Sequence, residues 1–397
     1  MTLDVNVLVI GGRDFQIKGL QELGIPFVLF QKKDELTDYQ VDTVERIFIF
    51  DYLNQDLAIA YARLFHSHFS FGAVIAYREY AQLPCALIAD DLKLISNCQT
   101  QVVTNTRNKL LMRECLRAVS GLDTVRYSLV NTCEDLKAFF EQDIEKAILK
   151  PSDGTGSCGV LEVTRANLQS AFDYCRNATT SELIVEEFIG GTEYSVETIS
   201  RNGVHEVLAI TQKTTTGAPS FVELAHFQPA PLSVAERDQI ETAVATLFNT
   251  LGYRTGPGHT EVKLYRDSVY IIETHTRNGG DNIWRMTQLT TGRDMFKETI
   301  ATLLSLPLEK KSPACQAAKV QYFFGSLRRA SLDELRTLSG LGDSELVDAT
   351  FVESPAAVGQ LSSSLDRSGF VLLCGGSEKH IANNLQTIES VLTDGES

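Results

Sequence analysis

Short apolar runs alternate with amphipathic stretches over the first hundred residues. Residues 5–10 read as a buried strand that runs into Gly11-Gly12 and a helix over 15–23. Strands over 27–30, 46–50 and 72–76 follow, with a helix over 53–65 between the last two. Continuous apolar strands separated by helical periods predict a small parallel sheet covered by helices. From about residue 104 the pattern changes. A helix over 108–119 precedes strands at 147–150 and 183–188, and longer strands of antiparallel character come after. Beyond about residue 312, strands over 319–325 and 369–374 and a helix over 378–392 read as a smaller unit of their own. The expected class is α/β, with an N-terminal α/β domain over 1–103, a central region over 104–311 and a C-terminal α+β unit over 312–397.

Composition narrows the chemistry. Hydrophobic residues make up 43% of the 397 positions, enough for well-filled cores in two or three domains. Acidic side chains outnumber basic ones by 51 to 36. A net charge of −15 argues against nucleic acid and anionic membranes as partners, because both need a basic face. An anionic small molecule can still bind in a local basic pocket. No apolar run reaches the roughly 18 residues that cross a bilayer, and the N-terminal one is too short for a signal peptide. The eight cysteines include no C-x-x-C pair, unlike zinc ribbons or secreted disulfide scaffolds. A cytoplasmic protein with free thiols is expected.

Three segments carry chemistry. Gly11-Gly12 is not among them: G-x-G-x-x-G is not completed, and a tight βα turn accounts for it. The first is Lys150 to Gly159, directly after an apolar strand. Its three glycines and three hydroxyl residues let the backbone fold over a polyphosphate, with Lys150 as a point charge. In the second, a strand end at Glu186, Glu187, Phe188 and Ile189 passes through Gly190-Gly191 into a strand carrying Glu193 and Glu197 on one face. Exposed backbone there can read a base edge, and a carboxylate can accept ribose hydroxyls. The third is a hairpin, 260–265 and 269–275, about the loop Arg266-Asp267-Ser268. With that loop Tyr265 opposes Val269 and Glu261 opposes Glu273. Facing carboxylates repel, and a divalent cation between them turns the penalty into a site. The same face continues through His275 to Arg277, while Val262, Leu264, Tyr270 and Ile272 form the core side.

Together these pieces resemble the ATP-grasp superfamily. The resemblance implies an ATP-grasp fold with a lid subdomain at about 125–190, and Lys109 and Lys150 as phosphate lysines. It makes Gly154, Gly156, Ser157 and Gly159 the phosphate loop, Glu186–Ile189 the adenine linker, Glu193 the ribose carboxylate, and Glu261 and Glu273 the metal pair. Family members commonly have Asn where His275 stands, so His275 is weighed either as a third metal ligand or as a residue that orients phosphate or substrate. Within the superfamily the segments 210–232 and 273–281 look most like the L-amino acid ligases. That likeness implies Glu223 on the substrate's α-amino group, and His226 lining the pocket or assisting proton removal. Arg277 would hold the acyl carboxylate and acyl phosphate, and Gly279, Gly280 and Asp281 would shape the substrate pocket. Asp281 stands where some members carry a bulky aromatic, which hints at a polar or cationic second substrate. The implied function is an ATP-dependent amide ligation through an acyl phosphate, with Arg277, His226 and Lys150 as the catalytic residues. ATP and Mg²⁺ (or Mn²⁺ in its place) are the implied cofactors, amino acids the substrates and a homodimer the implied assembly. The alternatives are a carboxylase acting through carboxyphosphate and a non-catalytic nucleotide-binding protein. Lys213 and His259 read as minor residues, solvated and turn-shaping respectively, and Trp284 as packing. Cys158 has no reason to act as a nucleophile.

Overall fold

The computed structural model describes residues 6–117, 119–153, 158–325, 330–352 and 363–393. The N-terminal sheet has strands β1 (Asn6–Ile10), β2 (Phe27–Gln31), β3 (Ile47–Ile49), β4 (Phe71–Ile75) and β5 (Ile95–Ser96), in the order β3-β2-β1-β4-β5 and all parallel. Val7 through Ile10 are at most 1% exposed, because helices cover both faces and no residue of β1 can be polar at its centre. Gly11 closes the turn after β1 with φ +62°, and a Cβ there would lie 2.6 Å from the Tyr52 hydroxyl. The glycine pair therefore serves a close backbone turn. Trp284 stacks on Phe15 at 4.5 Å between ring centroids and so ties the central region to this domain.

A second, four-stranded sheet carries β6 (Tyr127–Val130), β7 (Ala147–Pro151), β8 (Leu161–Val163) and β9 (Leu183–Glu187), in the antiparallel order β6-β9-β7-β8. The period of two sends Ala147 and Leu149 into a core with Leu136, Phe139 and Cys175 of two covering helices. Ile148 and Lys150 face the other way, into a cavity.

The largest sheet holds β10 (Thr192–Arg201), β11 (Val204–Thr215), β12 (Glu223–Gln228), β13 (Gly256–Tyr265), β14 (Ser268–His275), β15 (Ala317–Phe324), β16 (Leu346–Phe351) and β17 (Arg367–Gly375). Its order is β14-β13-β10-β11-β12-β15-β17-β16. The C-terminal block thus extends this sheet, His226 of β12 pairing with Val320 of β15, and its described strands all belong to it. The helix Val234–Leu251 covers one face through Ile240, Val244, Leu247 and Phe248. Burying each such side chain contributes roughly 1.5–3 kcal/mol. That helix opens with a capping box between Ser233 and Glu236 and stops at Gly252, whose φ of +72° no Cβ-bearing residue adopts easily. No helix among the described residues is long and apolar enough to cross a membrane.

The β13–β14 hairpin departs from its sequence reading in an instructive way. The turn has two residues, Arg266 and Asp267, both at positive φ, with Leu264 opposite Val269 and Tyr265 opposite Ser268. A bulge between Glu261 and Val262 then absorbs one residue, so that Glu261 still faces Glu273. The bulge also exchanges the faces near it. Val262, Val269 and Ile271 enter the core, whereas Ile272 lines the cavity instead of the core side expected for it, and Tyr270 is half-buried.

Candidate active site

A cavity of about 310 Å³ lies between the four-stranded sheet and the largest one. Lys109, Lys150, Glu186, Glu187, Phe188, Ile189, Glu193, Glu223, His226, Glu261, Glu273, Arg277, Gly280 and Asp281 all line it. Residues named from separate stretches of sequence therefore meet in one place. Gly159 does not line it; at φ +70° it closes a turn against Pro151 and Ala178. Gly279 donates its backbone N–H to Glu197 Oε2 at 2.9 Å, so its part is structural support of the loop. Gly154, Gly156 and Ser157 lie outside the described residues.

At one end the wall is apolar, with Val125, Ile148, Ile189 and Ile272, and next to it Phe188 approaches Phe221. This suits a flat heteroaromatic ring. Lys263 Nζ donates to the Ile189 carbonyl at 3.0 Å and lies 5.1 Å from the Phe188 ring centre. The Glu186 side chain does not take part in a base-reading linker. It accepts from Lys150 Nζ at 2.6 Å and from Arg113 Nε at 2.7 Å, fully within the protein. Burial alone would raise its pKa; Arg113 and Lys150 bring it down to about 2. Glu186 thus fixes the direction of the Lys150 ammonium. Its neighbour Glu187 points outward to Arg126 at 2.8 Å.

Glu261 and Glu273 occupy the middle. Glu273 is 2.9 Å from Lys109 Nζ and 3.2 Å from His275 Nε2; Glu261 is 2.7 Å from Lys213 Nζ and 3.6 Å from His259 Nε2. Burial opposes their ionisation, yet Lys213 brings Glu261 down to about 2 and Lys109 and His275 hold Glu273 well below the ordinary range. No group of three or more His, Cys, Asp or Glu is arranged to hold a metal among the described residues. Two ionised carboxylates facing across a strand pair nonetheless fit Mg²⁺, which characteristically takes one or two carboxylates and completes its shell with phosphate and water. His275 stands behind this pair. Its ring joins Glu273 to Glu79, Nδ1 lying 3.1 Å from Glu79 Oε2, so both nitrogens face carboxylates and the residue positions Glu273.

Lys213 is the largest departure from the sequence reading. Far from being solvated, its ammonium is buried at 2.7 Å from both Glu193 and Glu261 and 3.7 Å from Glu223. It joins the three carboxylates assigned to ribose, metal and substrate. His259 is also more than a turn residue: Nδ1 lies 2.5 Å from the buried Glu197, and although burial opposes it, Glu197 and Glu261 raise its pKa to about 9.

At the far end stand Glu223, His226, Arg277 and Asp281. Arg277 Nε donates to Glu79 Oε2 at 2.6 Å, and Arg107 Nε lies 3.5 Å from the other oxygen. Burial would raise the Glu79 pKa, but His275 and Arg277 push it far below the usual carboxylate range. Glu79 escaped the sequence reading. It follows β4, at the carboxyl ends of a parallel sheet whose order reverses between β1 and β4, where open α/β sheets place ligand-binding loops. That topological rule is the one signal that could have found it. Arg367, from β17, was missed too and had no local signal.

Residues 145–285 match the family model described as the ATP-grasp domain, within an architecture that has the ATP-grasp fold over its whole length. The chain thus carries an ATP-grasp domain over residues 145–285 and has the ATP-grasp fold. Alanine–anticapsin ligase of Bacillus subtilis (strain 168) is 27% identical over 252 residues, which cover 57% of this chain and 52% of the relative. The chain therefore spans about half the length of the curated relatives it matches. L-amino acid ligase from Bacillus licheniformis has the same fold, with a TM-score of 0.80 at 24% identity over 97% of both chains. N5-carboxyaminoimidazole ribonucleotide synthetase from Thermus thermophilus shares it at 0.73 and 16% identity, over 98% of this chain and 99% of the other.

Proposed function

We propose that the protein is an ATP- and Mg²⁺-dependent ligase that joins an amino-acid carboxylate to an amine through an acyl phosphate. One observation carries this reading. A single cavity holds three buried lysines, Lys109, Lys150 and Lys213, and a facing carboxylate pair beside an arginine, Arg277, and a carboxylate, Glu223, that match the two charged ends of an amino acid. The names of the L-amino acid ligase and alanine–anticapsin ligase relatives support it.

Lys109 and Lys150 hold the phosphates, and Glu193 the ribose hydroxyls. Glu261 and Glu273 would hold Mg²⁺, which when bound offsets the triphosphate charge. Arg277, fixed by Glu79, orients the donor carboxylate so that one of its oxygens attacks the γ-phosphorus while the bond to the ADP oxygen breaks. The amine then attacks the acyl carbon, phosphate leaves and the amine gives up a proton. His226, buried beside Asp281, is the side chain placed to steer that proton. Lys213 keeps Glu193, Glu261 and Glu223 from repelling one another before ligands arrive.

ADP release should be measured with ATP, Mg²⁺ and pooled amino acids. Amino-acid-dependent ADP supports the ligase. Dependence on bicarbonate instead would assign a carboxylase, and no release under either condition a nucleotide-binding protein.

A further inference from the structure

Arg367 begins β17 and reaches back across Tyr322, whose ring centre lies 3.6 Å from the guanidinium carbon. Its Nη2 donates to Asp281 Oδ2 at 2.8 Å and to Glu223 Oε2 at 3.2 Å. Glu223 and Asp281 line the cavity, and Arg367, 11% exposed, stands behind them. One guanidinium thus serves two carboxylates. Lys213 is the next cation, 3.7 Å from Glu223, but it is engaged more closely by Glu193 and Glu261. With Arg277 answered by Glu79, two carboxylates against one guanidinium leave one negative charge at this end of the cavity. His226 completes the wall: it is 1% exposed, neither ring nitrogen has a hydrogen-bond partner among the described residues, and Nε2 is 3.6 Å from Asp281. Buried polar atoms are nearly always satisfied, so an unpartnered imidazole beside a half-neutralised carboxylate pair marks where a polar ligand group belongs.

We propose that Arg367 is a specificity-determining positioning residue, which cancels one of the two charges at the substrate end so that the site takes an amino acid with a single ammonium and an uncharged side chain. The inference rests on the ligase reading and reverses what Asp281 suggests alone. Without Arg367, Asp281 would invite a second cation; with it, a basic side chain finds no free carboxylate there.

Calorimetric binding of L-alanine and L-lysine, in the presence of Mg²⁺ and a non-hydrolysable ATP analogue, tests it. Wild type should bind L-alanine the more tightly. Arg367→Gln should move the preference toward L-lysine by about ten- to hundred-fold, the scale of one charge-assisted contact. Arg367→Lys should retain the wild-type order. The double variant Arg367→Gln/Asp281→Asn should restore it, which a merely structural role for Arg367 would not do. Equal changes for both amino acids in Arg367→Gln, or no restoration in the double variant, overturn the inference and leave the ligase reading standing. Wild type binding neither amino acid overturns both. If Arg367→Gln does not fold, Asp281→Asn alone decides: L-alanine binding should fall about tenfold with analogue binding retained, and unchanged L-alanine binding overturns the inference.

Discussion

The two ends of the cavity are built by different rules. At the proposed nucleotide end most charged groups sit on strands that pair with one another, although Lys109 and Arg113 come from the helix Lys109–Leu116. Lys150 and Glu186 are diagonal neighbours on β7 and β9, and Glu261 faces Glu273 across β13 and β14. At the proposed substrate end groups arrive from opposite ends of the chain, Glu79 from the loop after β4 to pair with Arg277 and Arg367 from β17 to pair with Asp281. Register fixes the first kind of site from nearby sequence, because side-chain period and strand pairing determine which groups meet. The second kind depends on how whole layers pack. It is therefore the end at which substrate preference can change without disturbing ATP chemistry.

The sharpest way to break the comparison is at Glu273, where the two ends join. Glu273→Gln should lower amino-acid-dependent ADP release by at least about a thousand-fold, since it removes a ligand of the proposed cation and the carboxylate that Lys109 faces. Facing carboxylates considered alone predict that this change relieves repulsion and raises stability. The structure reverses that sign. Lys109 and His275 already answer Glu273 at 2.9 and 3.2 Å, so the substitution removes attraction as well. The melting temperature of the nucleotide-free variant should fall by a few degrees. A rise would mean that repulsion dominates after all.

A smaller effect is expected at Glu79, and it separates the ends directly. Glu79→Gln keeps the shape but removes the charge that holds Arg277 at 2.6 Å and faces His275 at 3.1 Å. The kcat/KM for the donor amino acid should drop about ten- to hundred-fold, with the KM for ATP within about twofold of wild type. Equal losses for ATP and amino acid would show that the ends are not independent.

Legibility in the sequence follows the same division. The lysine–glycine segment, the linker and the carboxylate hairpin are each contiguous, and their candidate site residues line the cavity apart from Gly159, His275 behind Glu273, and Gly154, Gly156 and Ser157 outside the described residues. The hairpin shows how robust such a reading is, and how lucky. A three-residue loop was the wrong turn, yet the bulge after Glu261 restored the pairing it implied. What the bulge did not restore was the face of Ile272. Lys213 could not be recognised, because nothing in β11 distinguishes a solvated lysine from one buried among Glu193, Glu261 and Glu223. Glu79 and Arg367 needed the packing of the N-terminal domain and of the C-terminal strands against the centre. Tertiary ion pairs have no sequence period.

The smallest expected effect concerns stability, with an acid limb set by Glu186 and an alkaline limb set by His259 beside Glu261. Glu186 is held at about 2 by Arg113 and Lys150 against the opposing effect of burial, below its ordinary value of 4.5. A depressed carboxylate stabilises the fold above the unfolded value and loses that contribution as pH falls from about 4.5 toward 2. The shift corresponds to about 3 kcal/mol. His259 has the opposite sign. Burial lowers its pKa, but Glu197 and Glu261 raise it to about 9, so its contribution is complete below 6.5 and is lost as pH climbs through 9. Urea midpoints for wild type, Glu186→Gln and His259→Gln should therefore diverge at neutral pH and converge on different sides. The Glu186→Gln gap should narrow only in acid, and the His259→Gln gap only in alkali. A gap that ignores pH in either variant would mean that the side chain acts through packing and that its ion pairs do not set the stability.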